Sequence, residues 1–304
     1  MASLNFTTLD VFTTKKFTGN PLAVCEIPSD TTLTQSQKQT IAIEFNLSET
    51  TFLHPCSNPD AEIPEWNLDI FTVKTELPFA GHPTIGTACY ILGKTGKEKG
   101  RFNVKAGVIE LEYKKGVARA SIPHNTHIHS STDLTPSAML EWQKGLLPFY
   151  PDAAELKTAV VSPVKGMNFA MVELRSLEEL AAVTLPGTEL NFSLDTSWSS
   201  GPCFSKFFVK MPEQGGGITR LRTRMIEGSF EDPATGSACC GLAAYLVLKD
   251  GVKDATVKFE ILQAVEIGRP SEIGVEVTVE GGAIQKVVLE GRSVRVMEGK
   301  IFYE

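Results

Sequence analysis

His82-Pro-Thr-Ile-Gly-Thr-Ala-Cys89 and Asp232-Pro-Ala-Thr-Gly-Ser-Ala-Cys239 are two copies of one turn, 150 positions apart in a chain of 304 residues. Proline, glycine, alanine and cysteine recur at the same places, and the order of the downstream segments recurs with them. Each copy leads into an apolar helical stretch, a polar or glycine-containing break, and then alternating strands, over Arg101–Ile122 in the first half and Thr256–Val279 in the second. Within those strands Ala106 and Gly116-Val117 return as Ala264 and Gly274-Val275. Upstream, Gly19-Asn20-Pro21-Leu22-Ala23-Val24 loosely echoes Gly166-Met167-Asn168-Phe169-Ala170-Met171. A period of half the chain is too long for a solenoid, so the repeat predicts two homologous α/β domains related by an approximate two-fold axis. Their boundary falls in the polar stretch from Pro123 to Pro136, which has no hydrophobic periodicity. The last strands, near Ser293–Val296 and Lys300–Tyr303, could complete either domain. They are placed with the first, giving residues 1–123 plus about 290–304 as one domain and 124–289 as the other.

Composition narrows the class of partner. With 42% hydrophobic and 21% charged residues the chain is globular, and its length suits two domains with substantial cores. The 29 basic and 36 acidic residues give a net charge of −7, which offers no footprint for a nucleic-acid backbone or an anionic membrane. The longest uncharged apolar run, Ala238–Leu248, is too short to span a bilayer and reads as a buried helix. The first residues lack a basic segment and carry Asp10 where a secretion signal needs apolar residues, so a cytoplasmic protein is expected. Six cysteines, at 25, 56, 89, 203, 239 and 240, show neither zinc-ligand spacing nor a disulfide pattern, and read as reduced thiols.

The repeated turns carry the chemistry. Asp232 suits a helix N-cap, and Pro83 and Pro233 suit the first helical position. The small residues beyond them let a ligand approach the backbone. The first turn of a helix leaves amide N–H groups unpaired, so two such starts facing one another favour an anionic, carboxylate-bearing metabolite. Capped core helices are the plainer reading of each turn alone. Duplication argues against it, because equivalent positions hold two different titratable residues, His82 and Asp232. A third element is Asn46-Leu47-Ser48-Glu49-Thr50-Thr51-Phe52, which comes after the helical segment Thr34–Phe45 and runs into a strand. Glu49 lies at that passage, either as a solvated loop carboxylate or as a group pointing into a cleft.

Five segments in order along nearly the whole chain make a resemblance specific: GNPLAVC (19–25), NLSETTF (46–52), GHPTIG (81–86), EDPATGSA (231–238) and GRPS (268–271). Together they resemble the PhzF-like, phenazine-biosynthesis-like isomerases, whose fold is that of diaminopimelate epimerase. The resemblance implies a mixed α/β architecture of two pseudo-symmetric domains, each a strongly curved sheet around a central helix, with the active site between them. It also implies an isomerase without metal or organic cofactor, in which Glu49 moves a proton between carbon atoms of a small carboxylic acid. His82 and Asp232 would orient the substrate or share its protons, and Asn20, Gly81, Gly236 and Ser237 would bind it. A homodimer is implied as well. The chemistry is coherent: a carboxyl group that shuttles a proton needs a pKa raised toward neutrality, and helix-start amides stabilise developing enolate-like charge.

Two departures bear on mechanism and substrate. Epimerases of this fold carry a pair of cysteines at the two helix starts, where this chain has His82 and Asp232. Cys89 and Cys239 are expected about two turns further in, so a two-thiol mechanism is disfavoured. The family segment before GHPT often reads FTP, whereas this chain has Phe71-Thr72-Val73-Lys74, so a phenazine precursor is not assumed as substrate. Other signals are set aside. His124, His127 and His129 lie in the linker with no companion acid at ligand spacing, and no metal site is expected. Gly93-Lys94-Thr95 ends a helix instead of opening one, and Gly215-Gly216-Gly217 reads as a flexible turn. Arg222 and Arg224 alternate with apolar or small residues as on a strand, although either could reach a substrate carboxylate. The rival to an isomerase is a metabolite-binding or scaffold protein that kept the fold and lost turnover.

Overall fold

The computed structural model describes residues 2–304 apart from 199, 200, 202 and 214. The chain forms two compact units, one of residues 1–122 and 289–304, the other of residues 123–288.

In the first unit the strands are β1 (Ala2–Val11), β2 (Asn20–Glu26), β3 (Thr50–Leu53), β4 (Glu65–Phe71), β5 (Glu76–Leu77), β6 (Lys99–Val104), β7 (Gly107–Lys114) and β8 (Val117–Ser121). Its helices are α1 (Gln35–Phe45) and α2 (Gly81–Thr95). The second has the strands β9 (His127–Ile128), β10 (Lys157–Val164), β11 (Met167–Glu173), β12 (Cys203–Lys210), β13 (Ile218–Glu227), β14 (Phe230–Glu231), β15 (Ala255–Gln263) and β16 (Ser271–Glu280), and the helices α3 (Pro136–Trp142), α4 (Leu177–Ala182) and α5 (Gly236–Lys249). The chain ends with β17 (Ala283–Gly291) and β18 (Ser293–Tyr303), and β18 is one long strand antiparallel to β1.

The repeat seen in the sequence is a repeat of strand pairing. From β1 through β2, β3, β4 and β6 to β7 the neighbours are antiparallel, parallel, antiparallel, parallel, antiparallel. From β10 through β11, β12, β13 and β15 to β16 the succession is the same. Each ribbon bends round one apolar helix. In the first unit α2 packs against strands from both ends of its ribbon, β18 and β8, as well as β1, β2 and β3. In the second, α5 packs on β10, β11, β15 and β16. The sequence dictates this burial. From Gly81 to Leu92 every residue of α2 is buried, and α5 is buried almost all round, so neither helix has a polar face to give to water.

Gly86 shows how closely α2 approaches its sheet. A Cβ there would lie 2.6 Å from Leu22 Cδ2 and 2.6 Å from Val11 Cγ2. Gly86→Ala is therefore expected to lower stability by about 1–2 kcal/mol, because overpacking outweighs the gain of roughly 1 kcal/mol in helix propensity. Equilibrium denaturation checks this, and a variant as stable as the wild type would mean that the sheet yields to a methyl group.

The segment read as an unstructured linker is partly ordered into the sheet: His127 and Ile128 form β9, antiparallel to β10. Its alternation is too short to give a periodic signal, so only the pairing partner reveals it. Among the described residues no helix is long and apolar enough to cross a membrane. All six cysteines are free.

Candidate active site

Glu49 is placed by a helix stop. Thr34 and Gln37 form a reciprocal capping box at the start of α1, and Asn46 ends that helix in the left-handed region (φ 50°), its N–H bonded to the carbonyls of Ala42 and Ile43. Three residues later Glu49 immediately precedes β3. Thr51 then ties that strand to α2, its hydroxyl 3.1 Å from that of Thr87. Glu49 is thereby held against the first turn of α2, where His82 is the second helical residue.

His82 Nδ1 lies 3.5 Å from Glu49 Oε2 and 3.5 Å from the Asn20 side-chain amide. Asn20 opens β2, which runs parallel to β3, so both strands begin at the cluster. The Glu49 side chain is 16% exposed and that of His82 5%. Burial raises the Glu49 carboxyl to about 7, against a smaller opposing effect of the Ser48 hydroxyl. A carboxyl group that changes protonation near neutrality, beside an imidazole nitrogen that can accept or return the proton, has the make-up of an acid/base pair.

The second unit holds Asp232, Gly236 and Ser237, and here the structure corrects the local reading. Asp232 does not cap α5. Thr235 stands at the N-cap, Gly236 is the first helical residue and Ser237 the second. Asp232 lies three residues before the cap, where its carboxylate accepts from the Ala234 N–H at 3.4 Å and the Thr235 hydroxyl at 2.5 Å, closing a turn of its own. Pro233 accordingly precedes the helix, and Pro83 is the third residue of α2 instead of the first. The copies therefore differ in shape: α2 begins one residue before His82, α5 four residues after Asp232. As a further result Cys239 is the fourth residue of α5, within its first turn, whereas Cys89 does lie about two turns into α2. Both thiols are nonetheless pushed up by burial.

Capping separates the central helices from the others. α1, α3 and α4 start with a threonine or serine whose side chain accepts from a first-turn amide. α2 starts at Ala80 and α5 at Thr235 without a side-chain cap. At these two helices the N-cap residue therefore gives no side-chain acceptor to the first turn, which carries the partial positive charge of a helix start.

Two residues near Asp232 escaped the sequence reading. Lys206 of β12 is fully buried, and so is Gln263 at the end of β15. The available signal was a lysine inside the apolar run Phe204–Val209, where a charge needs a specific partner. Arg222 and Arg224 are already engaged: Arg222 bonds Glu266 at 2.7 Å, and Arg224 makes a two-pronged bond to Glu231 while also donating to the Val183 carbonyl. The histidine cluster does gain the acid that its local sequence lacked. His127 Nε2 is 2.8 Å from Asp195 Oδ2, and one ring nitrogen each of His127 and His129 and a carboxylate oxygen of Asp195 lie within 4.8 Å of one another. The Asp195 N–H takes the lone pair of His129 Nδ1, and Ser162 meets His129 Nε2. That use of both ring nitrogens makes the group a hydrogen-bonded corner, with Trp198 stacked on His127.

The family profile of phenazine biosynthesis-like proteins matches residues 9–299. The chain belongs to this family. A trans-2,3-dihydro-3-hydroxyanthranilate isomerase of Pseudomonas fluorescens is 31% identical over 98% of this chain and 99% of its own. By fold, a PhzF-family phenazine biosynthesis protein of Bacillus anthracis superposes with a TM-score of 0.74 at 19% identity, over 99% of this chain and 100% of that one. A probable proline racemase of Agrobacterium radiobacter K84 superposes at 0.61 and 13% identity, over 98% and 93%. The architecture is thus the mixed α/β epimerase-like one, and this member of the phenazine biosynthesis-like family is an isomerase.

Proposed function

We propose that this isomerase moves a proton between carbon atoms of a small carboxylate metabolite by acid/base catalysis from its own side chains, with Glu49 as the group that carries the proton. The observation behind this is Glu49 itself, largely withdrawn from water, raised to about 7 by desolvation, and 3.5 Å from His82 Nδ1. In this reading the Glu49 carboxylate removes a proton from one carbon, leaving enolate-like charge on the substrate, and the protonated Glu49 then returns it to another carbon, while His82 and Asn20 hold the carboxyl group in place. Asp232 orients the substrate or shares its protons. Gly81, Gly236 and Ser237 sit in the uncapped first turns of α2 and α5, whose amides suit a carboxylate and the enolate-like charge of the transition state. The working form in this reading is a cytoplasmic homodimer.

Incubating the protein in deuterium oxide with trans-2,3-dihydro-3-hydroxyanthranilate, and then with a panel of small carboxylates, tests the reaction class. Deuterium appearing at carbon, followed by proton NMR and abolished by Glu49→Gln, is the expected result. Tight binding of a carboxylate without exchange at carbon would favour the metabolite-binding rival.

Thiols play no part in this reaction. The variant with both Cys89 and Cys239 replaced by alanine is expected to melt lower, by a loss on the order of 1–2 kcal/mol for two small buried side chains, and to keep its turnover well below the melting temperature. An inactive but folded double variant would move the chemistry to the cysteines.

A further inference from the structure

A fully buried lysine in the second unit has no role in the reaction described above. Lys206 lies in β12 at the position corresponding to Thr51 in β3. In the first unit Ala23 of β2 faces Thr50, in the second Ala170 of β11 faces Ser205, and the next residue along is Thr51 in one and Lys206 in the other. Thr51 meets the central helix of its unit through a hydroxyl pair with Thr87. Lys206 meets α5 through its ammonium, 3.3 Å from Cys239 Sγ, and also donates to Gln263 Oε1 in a short hydrogen bond. Both acceptors are neutral, since burial pushes the Cys239 thiol up. A buried cation with neutral acceptors is costly to keep, and a side chain of the same length without charge would pack there at lower cost.

We propose that Lys206 is a positioning residue: through Gln263 and Thr235 it fixes the Asp232 carboxylate as an oriented hydrogen-bond acceptor facing the substrate. The substrate-facing part rests on the reading of Asp232 given under Proposed function, while the hydrogen-bond chain stands on its own. Donor and acceptor capacities set its direction. An ammonium only donates, so the Gln263 oxygen must face Lys206. The Cys239 thiol, 3.7 Å away, points at the same oxygen. With its oxygen so committed, the Gln263 amide nitrogen faces the other way, donating to the Asp232 carbonyl at 2.7 Å and to Thr235 Oγ1 at 3.4 Å. A hydroxyl has one proton. Thr235, accepting from Gln263, directs that proton to Asp232 Oδ2 at 2.5 Å. The last acceptor in such a chain is a carboxylate whose charge and orientation are favoured by every donor behind it.

Among the described residues, the charged and titratable groups facing this chain include Lys206 from β12, Cys239 from α5, and the Arg224–Glu231 pair of β13 and β14, Glu231 immediately preceding Asp232. Lys206 is the cation on this chain through Gln263 and Thr235, whereas the Cys239 thiol that meets the same Gln263 oxygen is held neutral by burial, so the Lys206 charge is the one to vary.

The experiment is a carbon-13 NMR titration of the full-length protein with labelled aspartate carboxyls, Asp232→Asn supplying the assignment. Wild type is compared with Lys206→Met, Lys206→Arg and Thr235→Val, each first checked for folding by circular dichroism. Lys206→Met and Thr235→Val are expected to raise the Asp232 midpoint by about one unit or more, as fits loss of donors to the charged form, and Lys206→Arg to restore it at least in part. An Asp232 titration unmoved in Lys206→Met overturns the proposal. So does an equal shift in the Met and Arg variants, which would mark packing and not charge. Should Lys206→Met fail to fold, Thr235→Val decides in the same way. No substrate enters the measurement, so its outcome is separate from whether Glu49 moves a proton.

Discussion

Glu49→Gln is expected to lower turnover at least about a hundredfold while leaving substrate affinity nearly unchanged, the pattern for losing a general acid/base and keeping the binding site. Glutamine keeps the length of the side chain and can still hydrogen-bond to His82 Nδ1, now 3.5 Å from Glu49 Oε2. Its deficit is the exchangeable proton. The separation of KM from kcat is therefore the informative readout. A rise in KM at constant kcat would make Glu49 a binding group, and near wild-type kinetics would place the proton on another residue. Isotope exchange at carbon, monitored with the same variant, distinguishes a slow chemical step from slow product release.

The epimerase-like fold was legible because its repeat is written in residues that backbone geometry demands. Gly86 must be glycine where α2 meets Leu22 and Val11, and its counterpart Gly236 opens α5. The strands downstream alternate as half-buried strands do, and they form where expected, as β6 to β8 and as β15 and β16. The helix starts were read less well, since the same tetrad of proline, glycine, alanine and cysteine serves two registers. In α2 the whole motif is helical, while in α5 the turn that Asp232 makes with Ala234 and Thr235 delays the helix to Gly236. Side-chain to backbone hydrogen bonds compete with helix formation on a scale of about 1 kcal/mol, which periodicity does not register. The cluster in the first unit was legible as separate motifs: Asn20 from GNPLAVC, Glu49 from the passage between a helix and a strand, and His82 from the repeated turn. Lys206 and Gln263 were not, because they belong to strands 57 residues apart and have meaning only through their contact. The same holds for Asp195, which joins His127 from 68 residues away.

Stability should report the Glu49 proton independently of any substrate. The carboxyl has an ordinary value of 4.5 and is raised to about 7 in the folded protein, because burial penalises its charged form. Below 4.5 the group is protonated in both folded and unfolded chains, and its contribution to stability is fully present. As the pH rises from 4.5 toward 7, the unfolded chain releases the proton while the native state holds it, so stability falls, and above about 7 the loss is complete. The shift sets the size: roughly 3 kcal/mol between the two limits at 1.36 kcal/mol per unit. Glutamine does not titrate, and all other groups are common to the two proteins, so the difference between wild type and Glu49→Gln isolates this one carboxyl. In parallel equilibrium denaturations the variant is expected to gain on the wild type with rising pH, by roughly 3 kcal/mol between about pH 4.5 and pH 8. A difference independent of pH would mean that Glu49 ionises like an exposed carboxylate. A difference of opposite sign, with the wild type gaining as pH rises, would mean that the His82 imidazolium holds Glu49 as an anion, and a permanently ionised Glu49 could not return a proton to carbon.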